Sequence, residues 1–219
     1  SSLFLELDSF DKYIEIYSTN LFKIDQLYRK FIFHYQKSSQ PTLLGDLNNL
    51  IENKYVNEFL FKINNNFQKS IDKLTQWNTN NFNSQRSFHK QFIHEISKKN
   101  KKSIVIISDA FRFEIGDELN NKIENLDNFN SKLIPLISSL PSYTQLGMAS
   151  LLPSGDLGIP LPTNPNVTHN EDQTAGIINR TKILNKEISK DNPYVSKVPD
   201  FLNIKSTECR EIIKDHNVI

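Results

Sequence analysis

Four successive β-branched residues, Ile104-Val105-Ile106-Ile107, run directly into Ser108-Asp109. Their stiff side chains suit an extended backbone, and the missing polar alternation is the pattern of a strand covered on both faces. Such a strand constrains the rest of the chain. Parallel neighbours need crossover connections, so helices must lie on the faces of the sheet. Ligands then gather outside the carboxyl ends of the strands, which is where Asp109 falls.

The flanking sequence supplies the helices. Leu3, Leu7, Phe10, Ile14 and Tyr17, then Leu21, Ile24, Leu27, Tyr28, Phe31 and Tyr35, recur at spacings of three and four. That is the apolar face of amphipathic helices, with Pro41 as the expected break. A further helix is predicted from Leu43 to Leu74, a polar loop after Trp77, and a last helix over 85–98. The aromatic residues of this region are read as packing. Residues 1–98 are thus expected to be a helical region.

The basic run Lys98-Lys99-Asn100-Lys101-Lys102 reads as a solvated connector into the strand. Phe111, Ile115 and Leu119 predict a helix over 111–120, and 133–137 reads as a second apolar strand. Strand, helix and strand in this order predict a βαβ unit. Beyond Pro153 a loop rich in proline is expected, then helices over 177–188 and 207–215. Val218-Ile219 reads as the start of another strand. The fold class is α/β, with a helical N-terminal region and a parallel sheet flanked by helices.

Composition narrows the function classes. Lys plus Arg total 26 and Asp plus Glu 25, so no overall charge draws the chain to nucleic acid or membrane. The lone Cys209 excludes an intramolecular disulfide and any cysteine-built metal site. With no signal-like or membrane-spanning run, a cytoplasmic location is expected. The single methionine is Met148, and the chain opens on Ser1, so it reads as a fragment at its N-terminal end.

Two positions carry chemistry. Asp109 suits a divalent cation, though capping the next helix or pairing with Arg112 fits equally well. Thr144, in Leu140-Pro141-Ser142-Tyr143-Thr144-Gln145-Leu146-Gly147-Met148-Ala149-Ser150-Leu151-Leu152-Pro153, stands where a loop enters a helix. Its hydroxyl is either a simple helix N-cap or a nucleophile for phosphoryl transfer. Arg112 offers a planar fork for a substrate phosphate, or a structural ion pair. His169, before Glu171-Asp172, is a weaker candidate contact. The five histidines show no metal-ligand spacing, and there is no glycine-rich phosphate loop or nucleophile elbow.

The stretch Ile106-Ile107-Ser108-Asp109-Ala110-Phe111-Arg112-Phe113-Glu114, together with the Leu140 to Pro153 motif, resembles the PglZ family, type A, of bacterial BREX phage-defence systems. Weaker likeness runs through Thr174-Ala175-Gly176 and through Glu208-Cys209-Arg210 to Ile219. The resemblance implies an alkaline-phosphatase-like domain over 99–219, cut short at its C-terminal end. It also implies a metal-dependent phosphatase or phosphodiesterase with two divalent ions (zinc, manganese or magnesium). Thr144 would be the nucleophile and a metal ligand, and Asp109 a second ligand. Phe113 departs from the tyrosine common in the family.

The family's other ligands, Asp and His residues on later strands, have no counterpart here, so the resemblance implies that this chain by itself is inactive. Expected partners are other phage-defence proteins, with a nucleic acid or nucleotide as a possible substrate and no membrane. The alternative is a non-catalytic scaffold of the defence complex, docking through its helical region.

Overall fold

Residues 7, 9–39, 43–159 and 166–219 are described in a computed structural model. Two compact units emerge, and each joins segments distant in sequence. The first holds 1–82 and 111–135, and the second 83–110 and 136–219.

The first unit is helical, as the apolar periodicity requires. Ser9 caps α1 (Phe10–Ile16), its hydroxyl accepting from Lys12 N. A wide π-type turn over Tyr17–Leu21 continues it into α2 (Phe22–Lys37). Next come α3 (Gly45–Asn53), a second wide turn (Lys54–Leu60) and α4 (Phe61–Ile71). The expected Pro41 break and the Leu3 start of the periodic pattern lie outside the described residues. The aromatics do pack: Phe10 stacks on Phe67 at 5.6 Å between ring centroids and meets Trp77 at 5.0 Å.

The helix α6 (Phe113–Glu124) closes this unit. It begins two residues after the expected start at Phe111. Phe113 sits edge-on to Phe22 at 5.1 Å, so an apolar ring here is a packing residue. Glu114 is almost wholly buried and accepts from Arg29 Nε at 2.9 Å on each carboxylate oxygen. Arg29 also bonds Glu118 at 2.7 Å, which holds its guanidinium charged. Asp25 accepts from Tyr17 at 2.5 Å and Tyr55 at 2.9 Å, and burial with these bonds raises both phenol pKa values.

The second unit carries the sheets. β1 (Asn83–Ser84) pairs parallel with β2 (Leu136–Ile137). The segment 103–105 pairs parallel with 217–219: Ser103 N to Asn217 O is 2.8 Å, Ile219 N to Ser103 O 2.9 Å, and Val105 N to Ile219 O 2.7 Å. The reading of Val218-Ile219 as strand is therefore right. The expectation of a strand covered on both faces is not. Ile104, Ile106 and Ile107 are exposed, at 60%, 77% and 42%. The predicted βαβ unit also fails, because β2 pairs with β1 in the polar loop after Trp77 and not with 103–105.

The expected helix over 85–98 is a 3-10 turn (Gln85–Ser87), a π turn (His89–Ile93) and the short α5 (His94–Ser97). Of the basic run, Lys102 is not merely solvated. Its Nζ donates to Lys214 O at 2.8 Å and His216 O at 2.9 Å, satisfying carbonyls at a helix end.

After α7 (Thr144–Ser150) the chain forms an antiparallel sheet, β3 (Leu157–Gly158), β4 (Thr168–His169) and β5 (Asp172–Gln173), where only loop was expected. Asn170 and Glu171 link β4 to β5 with φ of 47° and 71°, the two positive values a type I′ hairpin needs. The prolines Pro160, Pro162 and Pro165 lie outside the described residues. α8 (Gly176–Glu187), α9 (Val198–Leu202) and α10 (Ser206–Asp215) complete the unit, the first and last close to their predicted positions. The architecture is α/β: helices flanking small parallel pairings. Among the described residues, no helix is long and apolar enough to cross a membrane.

Candidate active site

Asp109 lies in a turn four residues past the 103–105 pairing. The next residue, Ala110, adopts φ of 51°, a left-handed conformation in which its Cβ crowds the backbone. The reversal lets Ala110 N donate to Asp109 Oδ1 at 3.0 Å. The carboxylate is oriented by its own following peptide. No helix is capped by it, because α6 starts at Phe113 with Arg112 at the N-cap and no side-chain cap.

Thr144 is the first residue of α7. The N-cap is Tyr143, extended at φ −143°, with no side-chain cap bond. The N-cap reading of Thr144 is thus overturned: a residue one position inside the helix is past the place where its hydroxyl caps the turn. That hydroxyl instead donates toward Asp109, at 3.3 Å from Oδ1 and 3.5 Å from Oδ2. Both residues are exposed. These distances are long for an O–H···O bond, for which about 2.7–2.8 Å is usual. The relationship is a convergence of three oxygens on one exposed point more than a strong bond.

The helix that carries Thr144 is firmly seated. Leu146 and Ala149 are 1% exposed and Val167 is 0%, with Tyr143 and Leu157 packed against them. Ser150 shares a 2.7 Å bond with Ser139, and Gln85 Nε2 donates to Gly147 O at 3.2 Å. Sequence reasoning missed Gln85, Ser139 and Val167 as supports. Nothing local marks them, since each acts through a residue distant in the chain.

Of the other side chains that sequence reasoning weighed, His169 and His216 have partners of their own within the second unit. Arg112 is exposed in the first unit, where its carbonyl accepts from Ile115 N and Gly116 N at 3.0 Å. His169 is 1% exposed with its Nε2 2.8 Å from Pro153 O, a structural placement. His216 Nδ1 lies 2.7 Å from Asn192 O. Hard oxygen donors with one negative charge fit zinc, magnesium or manganese in kind. They fall short in number. No group of three or more His, Cys, Asp or Glu side chains converges to hold a metal ion among the described residues.

Residues 88–219 match the family of BREX system PglZ alkaline phosphatase-like domains. The chain belongs to the PglZ family. It is 32% identical over 214 residues to the alkaline phosphatase-like protein BrxZ of Escherichia coli O9:H4 (strain HS), covering 93% of this chain and 24% of that protein. It is 28% identical over 225 residues to the alkaline phosphatase-like protein PglZ of Bacillus cereus (strain H3081.97), covering 98% of this chain and 26% of that one. The chain thus spans about a quarter of the length of these PglZ relatives. No solved structure gives a significant match. In the PglZ match, both Asp109 and Thr144 fall inside the family domain.

Proposed function

We propose that this chain contributes part of the phosphoryl-transfer site of a metal-dependent phosphatase or phosphodiesterase in a phage-defence system. The observation that carries the reading is the approach of the Thr144 hydroxyl to both carboxylate oxygens of Asp109, at 3.3 and 3.5 Å. Thr144 Oγ1 is the nucleophile: it forms the bond to phosphorus as the bond to the ester oxygen breaks, its proton is released to solvent, and the ester oxygen leaves as an alkoxide that takes a proton from solvent. Asp109 takes the hydrogen bond of that hydroxyl and keeps its lone pairs directed away from the carboxylate. Divalent ions, held in part by Asp109 and Thr144, supply neutralisation of the phosphoryl charge when bound.

Two donors hold a divalent ion weakly, since sites of this kind use about three or four protein ligands per ion. The chain by itself is therefore inactive, and the complete protein provides the remaining ligands. The test uses a complete PglZ protein carrying this sequence: manganese-dependent hydrolysis of bis-(4-nitrophenyl) phosphate that survives Thr144→Ala would sink the nucleophile assignment.

A second reading is a scaffold role among other defence-system proteins, favoured by the exposed Leu27, Phe33, Leu47, Leu50 and Phe61 of the first unit. Phage resistance retained by Thr144→Ala in the complete protein selects the scaffold over the enzyme. Under the enzyme reading the substrate is a nucleic acid or a nucleotide, and the cytoplasm is the proposed location.

A further inference from the structure

Within the second unit, a cavity of about 370 Å³ opens between the segment 84–90 and the end of α7. Its size lies in the range of about 300–1,000 Å³ typical of small-molecule sites. Two cations line it, Arg86 and Lys90, and no acidic residue does. The hydroxyl-bearing Ser84, Ser87 and Ser154 share the wall, and Leu152 and Leu157 form an apolar part.

The cavity is built from its own hydrogen bonds. Arg86 donates one N–H to Gly155 O at 3.0 Å, which fixes the guanidinium and leaves four of its roughly five donors free. Lys90 is exposed and has no ion pair or hydrogen bond among the described residues. Ser87 Oγ donates to Ser84 O at 2.6 Å, holding the turn that presents both serines. Behind them His169 is fixed by Pro153 O, and its buried Nδ1 has no partner. Gly155 lies directly on that ring, since a Cβ there would come within 2.4 Å of His169 Nε2.

We infer that this cavity binds the phosphate group of a small phosphate ester of nucleotide size, apart from the Asp109–Thr144 pair. Two unopposed cations and a set of hydroxyls match a phosphate dianion. The apolar wall and the volume leave room for an organic body. Thr144 opens α7 and Ser150 ends it, so the two places are roughly 9 Å apart along the helix. The inference does not depend on Thr144 being a nucleophile.

Isothermal titration of adenosine 5′-monophosphate into the purified protein, with EDTA present to remove metal-mediated binding, tests it. Saturable one-to-one binding is expected, competed by inorganic phosphate and absent with adenosine. Arg86→Gln and Lys90→Gln each weaken it about tenfold, as loss of a charge-assisted bond does, while Thr144→Ala leaves it unchanged. Lys90→Gln removes no bond among the described residues, so its result stands even if Arg86→Gln perturbs the loop at Gly155. The inference is overturned by absence of saturable binding, by equal binding of adenosine, or by full affinity in Lys90→Gln. Loss of binding in Thr144→Ala also overturns it, because the phosphate would then occupy the Asp109–Thr144 pair.

Discussion

The Thr144 hydroxyl reaches both carboxylate oxygens of Asp109 across a separation of 35 residues. Among the described residues neither side chain has another side-chain partner; Thr144 opens α7, and Asp109 lies in a turn four residues past the 103–105 pairing. The pairing joins the turn at Asp109 to the start of α7. It gives the family motif, two stretches far apart in sequence, a single place in space.

The purified chain is expected to show no manganese-dependent hydrolysis of a nitrophenyl phosphodiester above the metal-only background. The reason is the donor count of one carboxylate and one neutral hydroxyl. A rate that rises with manganese and falls in Thr144→Ala would contradict it.

Ala110→Gly is expected to stabilise the protein by about 0.5 kcal/mol. Relief of a left-handed alanine, about 1–2 kcal/mol, outweighs the added freedom of glycine in the unfolded chain, about 0.4–1 kcal/mol. Urea unfolding measures it. A midpoint that drops would show that the alanine side chain makes contacts worth more than its strain.

Arg29→Met is expected to cost about 3 kcal/mol, because it strands the Glu114 carboxylate, 1% exposed, without its cation. Replacing Glu114 by Gln in the same variant should recover part of the loss. Equal stability of the single and double variants would show that the buried charge is not the cause.

Burial, with a smaller contribution from nearby His94, holds the His89 pKa below its ordinary 6.5. The sign follows from which state binds the proton. Above 6.5 both states leave the imidazole neutral and nothing is lost. As pH falls below 6.5, the unfolded chain takes up a proton that the folded one resists, so stability declines toward the lower folded pKa. Chemical unfolding between about pH 6.5 and 5.5 should show that decline, and His89→Gln should flatten it. A wild-type slope retained in the variant would assign the effect to other groups.

Gly155→Ala is expected to destabilise by roughly 2 kcal/mol or more, since the new Cβ meets a fully buried ring held by the Pro153 carbonyl. Thermal melting is the readout, and an unchanged midpoint would mean that the loop yields freely.

Much of the helical content was legible from apolar spacing. The faces of α1, α2 and α4, the aromatic packing around Phe10 and Phe67, and the positions of α8 and α10 follow from periodicity, which is a local property. The start of α7 at Thr144 was legible as well. Sheet partners were not. Ile104-Val105-Ile106-Ile107 carries the composition of a doubly covered strand, yet only its first residues find a partner, and that partner is 217–219. β1 sits in a polar stretch with no strand signal, because two residues bonded through their backbone need no particular side chains.

The sequence by itself determined most of the helical segments and the hydroxyl that opens α7. Only the tertiary structure decided that Thr144 faces Asp109 and does not cap its own helix, and that Arg86 and Lys90 line one cavity. Helix periodicity is written within a few neighbouring residues. The convergence of side chains from separate segments depends on long-range backbone pairing and on the seating of α7 by Leu146, Ala149 and Val167, and no local pattern encodes either.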